Sequence, residues 1–212
     1  MSEVDHLFDS GKGTLGNLVF FRRLGKTYVR VRPARYRDRK SPAQLAQRQK
    51  MQAMNRFLKP FSALIRLTFN PEAAGRTALH AAQSYNMRHA FAGEYPNLYI
   101  DYSMALLSRG PLPLPANVSV TAQPDGLLIE WQNGDEAAGK HSYDTLVVMA
   151  WSETAGWGVF KFTEVYRKEG RYVWKPALPF NENEIPHIWI AFRNQEQTEL
   201  SDSKYVNREI SD

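Results

Sequence analysis

In the second half of the chain, short apolar or alternating runs follow one another, separated by turn residues such as Asn133-Gly134. Alternation of apolar and polar positions is typical of a strand with one buried face. Seven such runs predict seven strands, at residues 117–122, 127–131, 145–151, 157–162, 171–174, 187–192 and 203–210. Seven short strands within about a hundred residues indicate an antiparallel β-sandwich.

Near the start of the chain, residues 17–23 and 26–32 alternate around Gly25 and predict a β-hairpin. Gly25 supplies the positive φ that a short connection requires, and Pro33 ends the second strand because it cannot donate to a ladder. A stretch from Gly11 to Gly16 precedes the hairpin and is predicted to be a flexible turn. A hairpin alone is only marginally stable, so we expect its apolar side to pack on the next element.

Two helices should follow the hairpin. Ser41-Pro42-Ala43-Gln44 combines a capping serine, a proline at the first helical position and a glutamine that completes a capping box. An apolar stripe at spacings of three and four then runs through Gln47, Met51, Met54, Leu58, Phe61 and Ile65. Pro60 should kink or break this helix near Leu58. Asn70-Pro71-Glu72 predicts the start of a second helix that ends at about His89.

These elements predict an α+β fold, with an N-terminal β-hairpin plus two helices followed by a C-terminal antiparallel β-sandwich. The segment Arg109–Pro115 holds a glycine and three prolines, which suit neither a helix nor a strand. It therefore predicts a boundary between a basic β-hairpin/helical module at residues 1–113 and the sandwich at residues 114–212.

The charge is unevenly distributed along the chain. Residues 1–60 contain fourteen Lys/Arg and four Asp/Glu, whereas residues 61–212 contain thirteen and eighteen. This asymmetry favours an acidic partner for the N-terminal end. The alternative is that the basic part attracts the acidic part of its own or of a neighbouring subunit.

The strongest concentration of cations lies in residues 16–40, which contain nine Lys/Arg and one acid, Asp38. Arginines beside an aromatic side chain suit phosphate binding and base stacking, and equally the clamping of carboxylates on a protein. A solvated hairpin face is the remaining alternative. The candidate binding residues are Tyr28, Arg30, Arg32, Arg35, Arg37, Arg39, Lys40 and Arg48.

Signals for catalysis or for a cofactor are weak. The chain has no cysteine, and its five histidines lack the spacing of metal ligands. Gly11-Lys12-Gly13-Thr14-Leu15-Gly16 matches G-x-G-x-x-G, but neither a buried strand before it nor a helix after it is predicted. No nucleophile elbow occurs. We therefore expect no enzyme, no metal and no cofactor, and we expect the five tryptophans to lie in the core rather than on a carbohydrate-binding face.

The start of the chain has no apolar segment typical of a signal peptide, and no apolar run reaches the roughly eighteen residues that a membrane helix needs. This predicts a cytoplasmic protein without a membrane partner. Association with a virion or another particle is the alternative.

Several ordered motifs resemble those of a family of Bacteroidota proteins catalogued as a domain of unknown function. They are 16–21, 25–33, Ala43-Gln44, Gln47-Arg48, Asn86, 93–96, 100–103, 107–110 and 201–205. The N-terminal half is also similar to segments of phage-type structural proteins with a GK-x-Y-x-R hairpin and an Ala-Gln helix. The C-terminal half resembles a fibronectin type III domain, with Trp131 ending a strand and Leu178-Pro179 ahead of the strand at 187–192. The family brings no known catalytic residues.

Taken together, the residues and the resemblance predict a non-enzymatic binding or structural protein. It would be a phage- or particle-like assembly component whose basic module docks on copies of itself or on a scaffold. The alternative is a nucleic-acid-binding protein that uses the same residues.

Overall fold

The alternating residues near the start of the chain form a small antiparallel sheet. The computed structural model describes residues 2–3, 13–23, 25–34, 38–69, 75–123, 126–134, 139–175 and 186–208. The sheet contains β1 (Ser2–Glu3), β2 (Gly13–Leu15), β3 (Leu18–Arg23) and β4 (Lys26–Val31), in the order β1-β4-β3-β2. The predicted hairpin is confirmed as β3–β4, and Gly25 has the expected positive φ of 82°.

The prediction of a flexible turn before the hairpin is wrong for residues 13–15, which form a strand. Gly13, Thr14 and Leu15 pair with Phe20, Val19 and Leu18 of β3. Gly16 then begins the connection to β3 with a φ of 58°, a conformation that favours glycine. Gly13 therefore takes part in strand pairing and Gly16 in the turn between β2 and β3. The first two residues of the motif, Gly11 and Lys12, lie outside the described residues.

The N-terminal sheet has no core of its own among the residues that the structure describes. Within 13–41, no described residue is buried. Leu15 and Val31 are 66% and 62% exposed. The expectation that the apolar side of the hairpin is covered is therefore not met at these two positions.

Helices form where capping and apolar spacing predict them. They are α1 (Pro42–Leu58), α2 (Ser62–Thr68) and α3 (Ala78–His89), and a 3-10 turn (Lys59–Phe61) separates the first two. The predicted break at Pro60 is confirmed. The start predicted for the last helix is wrong, because Gly75 has a φ of 68° and the Thr77 side chain caps the helix by accepting from the His80 N–H. The start signal at Asn70-Pro71-Glu72 lies outside the described residues.

Two four-stranded sheets follow, after a short hairpin made by β5 (Phe91–Ala92) and β6 (Tyr99–Ile100). The outer sheet has the order β11-β8-β7-β14, and the central sheet has the order β10-β9-β12-β13. Their strands are β7 (Val118–Gln123), β8 (Gly126–Trp131), β9 (Thr145–Ser152), β10 (Trp157–Tyr166), β11 (Arg171–Trp174), β12 (His187–Arg193), β13 (Lys204–Tyr205) and β14 (Asn207–Arg208).

The central sheet is buried on both faces, because successive residues of a strand point to opposite sides. Leu146, Val148 and Ala150 of β9 join a core with the outer sheet. Val147, Met149 and Trp151 of the same strand join a second core with the helices. The layers are therefore the outer sheet, the central sheet and the helices.

The fold is α+β, as the sequence predicts. Its division into units differs from the predicted one: the contacts separate Met1–Ser41 from Pro42–Asp212, so the predicted boundary between residues 113 and 114 lies inside the second unit. The physical reason is the second core, in which Phe57 and Phe61 from the helical part pack with Trp189 of β12.

The prediction of core tryptophans holds for Trp131, Trp151, Trp174 and Trp189, which are buried, while Trp157 is half-buried. Indole rings bury a large apolar area and need a partner for the N–H. The Trp131 Nε1 donates to the Arg167 carbonyl at 2.8 Å, which fulfils this need inside the core. The Leu178-Pro179 pair of the fibronectin resemblance lies outside the described residues.

Candidate interaction face of the N-terminal sheet

The register of β3 with β4 brings one aromatic pair to the middle of one sheet face. Phe21 lies opposite Tyr28, and their rings stack with centroids 5.6 Å apart and planes 22° apart. Tyr28 is half-buried, so part of its surface remains accessible beside the stacked Phe21 ring. Such a pair offers a flat apolar platform with a hydroxyl group.

Cations surround this platform on the same face. Lys26 and Arg30 are two residues before and after Tyr28, and side chains at that spacing share a face. Arg23 lies directly opposite Lys26, and Arg30 lies opposite Val19. We call Phe21, Arg23, Lys26, Tyr28, Arg30 and Arg32 the basic face.

The basic face can bind planar anionic groups. Arginine offers a rigid fork of donors that fits carboxylate or phosphate with two parallel hydrogen bonds. The main-chain N–H of Arg32 donates to the Asn17 carbonyl at 2.6 Å, which continues the strand pairing at this end of the sheet. Arg30 in β4 and Arg32 just after it therefore both stand on a paired backbone.

The structure places the other predicted residues elsewhere. Arg39 and Lys40 are exposed in the segment before α1, where the Lys40 N–H donates to the Asp38 carboxylate at 3.2 Å. Arg48 is exposed on α1, in the second unit. Arg35 and Arg37 lie outside the described residues. Of the eight predicted residues, the sheet brings together Tyr28, Arg30 and Arg32.

Three members of the basic face were missed by sequence analysis: Phe21, Arg23 and Lys26. Alternation along the chain identified Tyr28, Arg30 and Arg32, but cross-strand neighbours depend on register. The two-residue connection at positions 24 and 25 fixes Arg23 opposite Lys26, so this turn length is the signal that could have found them.

A buried ionic cluster in the second unit was also missed. Arg167 is fully buried, with Nη2 3.6 Å from Asp144 Oδ2 and donating to the Pro113 carbonyl at 2.8 Å. The guanidinium carbon lies 3.9 Å from the centre of the Phe192 ring, and His141 Nδ1 is 3.0 Å from Asp144 Oδ2. Burial lowers the pKa of Arg167 to about 10, and the attraction of Asp144 opposes this shift.

An open cavity of about 320 Å³ lies beside this cluster, and both carboxylates and cations line it: Leu112, Lys140, His141, Asp144, Asn194, Gln195, Glu196 and Glu199. Arg167 and His141 both contact the Oδ2 atom of Asp144. In the part of the chain that the structure describes, no group of three or more His, Asp or Glu is arranged to hold a metal ion.

A second buried polar group lies in the core beneath the helices. Tyr102 accepts a hydrogen bond at 3.1 Å from Trp151 Nε1, and its ring makes an edge contact with Phe57. Burial raises the pKa of Tyr102 to about 12, and the negative charge of Glu153 acts in the same direction. This hydroxyl group therefore stays protonated over a wide pH range.

Among the described residues, no helix has the length and apolar content needed to cross a bilayer.

Comparison with known proteins identifies the family. The chain belongs to the family of unknown function (DUF6266), whose model matches residues 10–207. No curated protein and no solved structure matches the chain.

Proposed function

We propose that this chain is a non-enzymatic binding protein, a component of an assembly that docks on an acidic protein surface through its basic face. The observation that carries the proposal is the stacked Phe21–Tyr28 pair with cations placed around it on one sheet face. Aromatic and arginine side chains are the residue types that dominate the energetics of protein interfaces.

The charge arrangement supports an acidic partner. Arg23 lies opposite Lys26, and Arg30 is two residues beyond Tyr28 on the same face. On β1, the residue that pairs with Tyr28 is an acid, Glu3, so the cations of the sheet outnumber the acid. A partner surface with several carboxylates would match these cations in charge.

Nucleic acid is the second candidate, because the aromatic pair lies between cations. Bases stack on exposed aromatic rings while Arg and Lys bind the phosphates, largely without regard to sequence. The Phe21–Tyr28 pair with Lys26 and Arg30 beside it has these components. This candidate differs from the first in its salt dependence, since each phosphate contact releases counterions.

Two finer proposals concern architecture and setting. We propose that the two sheets form a fibronectin type III-like sandwich. In support, β7, β8 and β11, which are the first, second and fifth strands of this region, lie in the same sheet. We also propose that the protein is located in the cytoplasm and takes part there in a phage-like or other particle-like assembly. The resemblance of the N-terminal half to phage-type structural proteins supports this proposal.

The test replaces the four cations of the basic face by serine, as R23S/K26S/R30S/R32S. Quantitative mass spectrometry of proteins co-purified with the tagged full chain should show one or more partners lost from the variant. Fluorescence anisotropy with labelled single-stranded DNA and RNA of 20 nucleotides, titrated from low to high salt, tests the second candidate.

A matched control removes four exposed cations of the second unit, as K59S/R66S/K140S/R171S. The control has the same net charge as the test variant, so a partner lost from both would reflect overall charge and not the basic face. A test variant that retains every partner of the wild-type chain would contradict the proposal. Salt-sensitive oligonucleotide binding that only the test variant loses would favour the second candidate.

A further inference from the structure

The helices of the second unit carry positive charge almost without acids. Residues 42–89, which contain α1, α2 and α3, hold seven Lys/Arg and one Asp/Glu, Glu72, which lies outside the described residues. Residues 118–208, which contain the two four-stranded sheets, hold nine Lys/Arg and thirteen Asp/Glu. Within the second unit, the positive charge is therefore concentrated in the helical segment.

One side of α1 carries cations and amides in a regular row. Arg48, Gln52 and Arg56 are exposed and recur every four residues, so they share a face of the helix. Gln44 is exposed and extends the row by one turn towards the start of the helix. We call these four residues the α1 row. No residue of α1 is an acid, so no carboxylate three or four positions away neutralises the two arginines within the helix.

Helix stability accounts for only one of the two cations in the α1 row. Cations near a helix C-terminus are favourable because of the helix dipole, and Arg56 lies in the last turn of α1. Arg48 lies near the middle of the helix, where this benefit is lost. The Arg56 Nη2 donates to the Glu153 carbonyl at 3.4 Å, which uses one of the several N–H donors of the guanidinium group. Both arginines remain exposed on the same side of the helix.

We infer that the α1 row binds the phosphate backbone of a nucleic acid. Arginine and glutamine are among the side chains that donate hydrogen bonds to phosphate oxygens. At about 1.5 Å per residue, the row extends about 18 Å along the helix axis from Gln44 to Arg56. A DNA duplex carries one negative charge per about 1.7 Å of its axis, so a row of this length faces several phosphates.

The composition of the row favours nucleic acid over an acidic protein. Protein interfaces draw most of their affinity from aromatic or other anchors packed in desolvated pockets, and the α1 row contains no aromatic or apolar side chain. Phosphate contacts need no such anchor, because the release of counterions supplies much of the affinity. The inference concerns a surface of the second unit and does not rest on the proposed function of the basic face.

The experiment titrates the full chain into a fluorescein-labelled DNA duplex of about 20 base pairs and follows anisotropy from low to high salt. The wild-type chain is expected to bind with a Kd of about 1–100 μM at physiological salt, the range of binding without sequence preference. R48Q/R56Q removes both charges of the α1 row and keeps amide groups there. It should weaken binding at least about tenfold at low salt and reduce the slope of log K against log salt by about two, one for each phosphate contact.

Two further variants separate the α1 row from overall charge. K161Q/R171Q removes one exposed cation each from β10 and β11, has the same net charge as R48Q/R56Q, and should bind the duplex as the wild type does. R48K/R56K keeps both charges on the row and should keep the salt dependence of the wild type. Circular dichroism of each variant checks that the helices are retained.

Three outcomes would overturn the inference: a wild-type chain that does not bind the duplex at low salt, an R48Q/R56Q variant with the affinity and salt dependence of the wild type, or an equal loss in K161Q/R171Q. An R48Q/R56Q variant that binds the duplex normally but loses self-association in sedimentation velocity would assign the row to a second copy of the chain. A serine variant of the basic face that keeps its partners contradicts the proposed function alone, so the two failures are distinguishable.

Discussion

The N-terminal sheet and the second unit are both built from alternating strands, but they use the alternation differently. In the second unit, β9 sends Leu146, Val148 and Ala150 into one core and Val147, Met149 and Trp151 into another. In β2, β3 and β4 of the N-terminal sheet, no residue is buried on either face. The same local pattern thus gives a strand buried on both faces in one region and half-buried or exposed side chains in the other.

Alternation of apolar and polar residues predicts a strand but not a core. A strand becomes part of a core only when another layer covers it. In β2, β3 and β4, every side chain keeps part of its surface exposed, and the concentration of cations on one sheet face is a property of that region. The two hydrophobic cores therefore lie in the second unit, and the basic face lies in the N-terminal sheet.

The largest expected effect concerns the division of the chain. We expect residues 42–212 to fold alone with a cooperative thermal transition, because the helices and both sheets share two continuous cores. A fragment of residues 114–212 should fail to fold, because it would expose Trp151 and Trp189, which pack against Phe57. Circular dichroism and NMR of both fragments test this. A folded 114–212 fragment would restore the boundary predicted from the sequence.

The next effect concerns aromatic packing. Phe57→Ala should lower the free energy of unfolding by about 3–5 kcal/mol, because a fully buried ring that touches several aromatic side chains leaves a cavity. Phe21→Ala, in the N-terminal sheet, removes the same side chain from a half-buried position and should leave the main urea transition nearly unchanged. Equal losses in the two variants would show that the N-terminal sheet unfolds together with the second unit.

A third test compares buried with exposed charge. Asp144→Asn should cost on the order of 3 kcal/mol, because it leaves the Arg167 guanidinium buried without its counter-charge. The Arg167 Nε and Nη1 atoms have no hydrogen-bond partner among the described residues, so without Asp144 the charge would be compensated by the Pro113 carbonyl and the Phe192 ring. Glu164→Gln changes an exposed carboxylate of β10 and should leave the urea midpoint unchanged. If Asp144→Asn lowers the urea midpoint no more than Glu164→Gln does, the ionic cluster does not contribute to stability.

The smallest effect is a pH dependence of the second unit. Since the pKa of Tyr102 is raised to about 12 in the folded chain from 10.0, the unfolded chain releases this proton first as the pH rises. Between pH 10 and pH 12 the folded state therefore binds more protons, and its stability falls with pH. Tyr102→Phe should remove this part of the decline. Below pH 10, the free energies of unfolding of the wild-type chain and the variant should change in parallel with pH. Urea unfolding from pH 9 to pH 12 measures the difference, and identical slopes would contradict the assignment.

Local chemistry explains which elements could be predicted from the sequence. The helix breaks at Pro60 because proline has no backbone N–H to donate. The helix begins at Pro42 because proline is favoured at the first helical position. The strand at 171–174 follows from its aromatic and β-branched residues. The start of α3 could not be obtained in this way, because the signal at Asn70-Pro71 competes with the Thr77 cap and the positive φ of Gly75.

Contacts between distant residues explain what the sequence could not predict. The ionic cluster joins Asp144 to Arg167 across β9 and β10, and neither residue has a local pattern that marks it. The second core joins Phe57 to Trp189. No local pattern marks this long-range contact, so the sequence did not predict that the helices and the sandwich share a core. The basic face was predicted in part, because the face of Tyr28 follows from alternation whereas the neighbouring Phe21 and Arg23 follow from register.

The pairing of β14 with β7 has a consequence for the order in which the protein is made. Asn207 pairs with Ser119, and the Lys204 ammonium group binds the Pro115 carbonyl at 2.7 Å, so the outer sheet is incomplete until the ribosome has passed residue 207. All pairs of the N-terminal sheet lie within the first 31 residues. The strands of that sheet can therefore pair before the second unit has been translated.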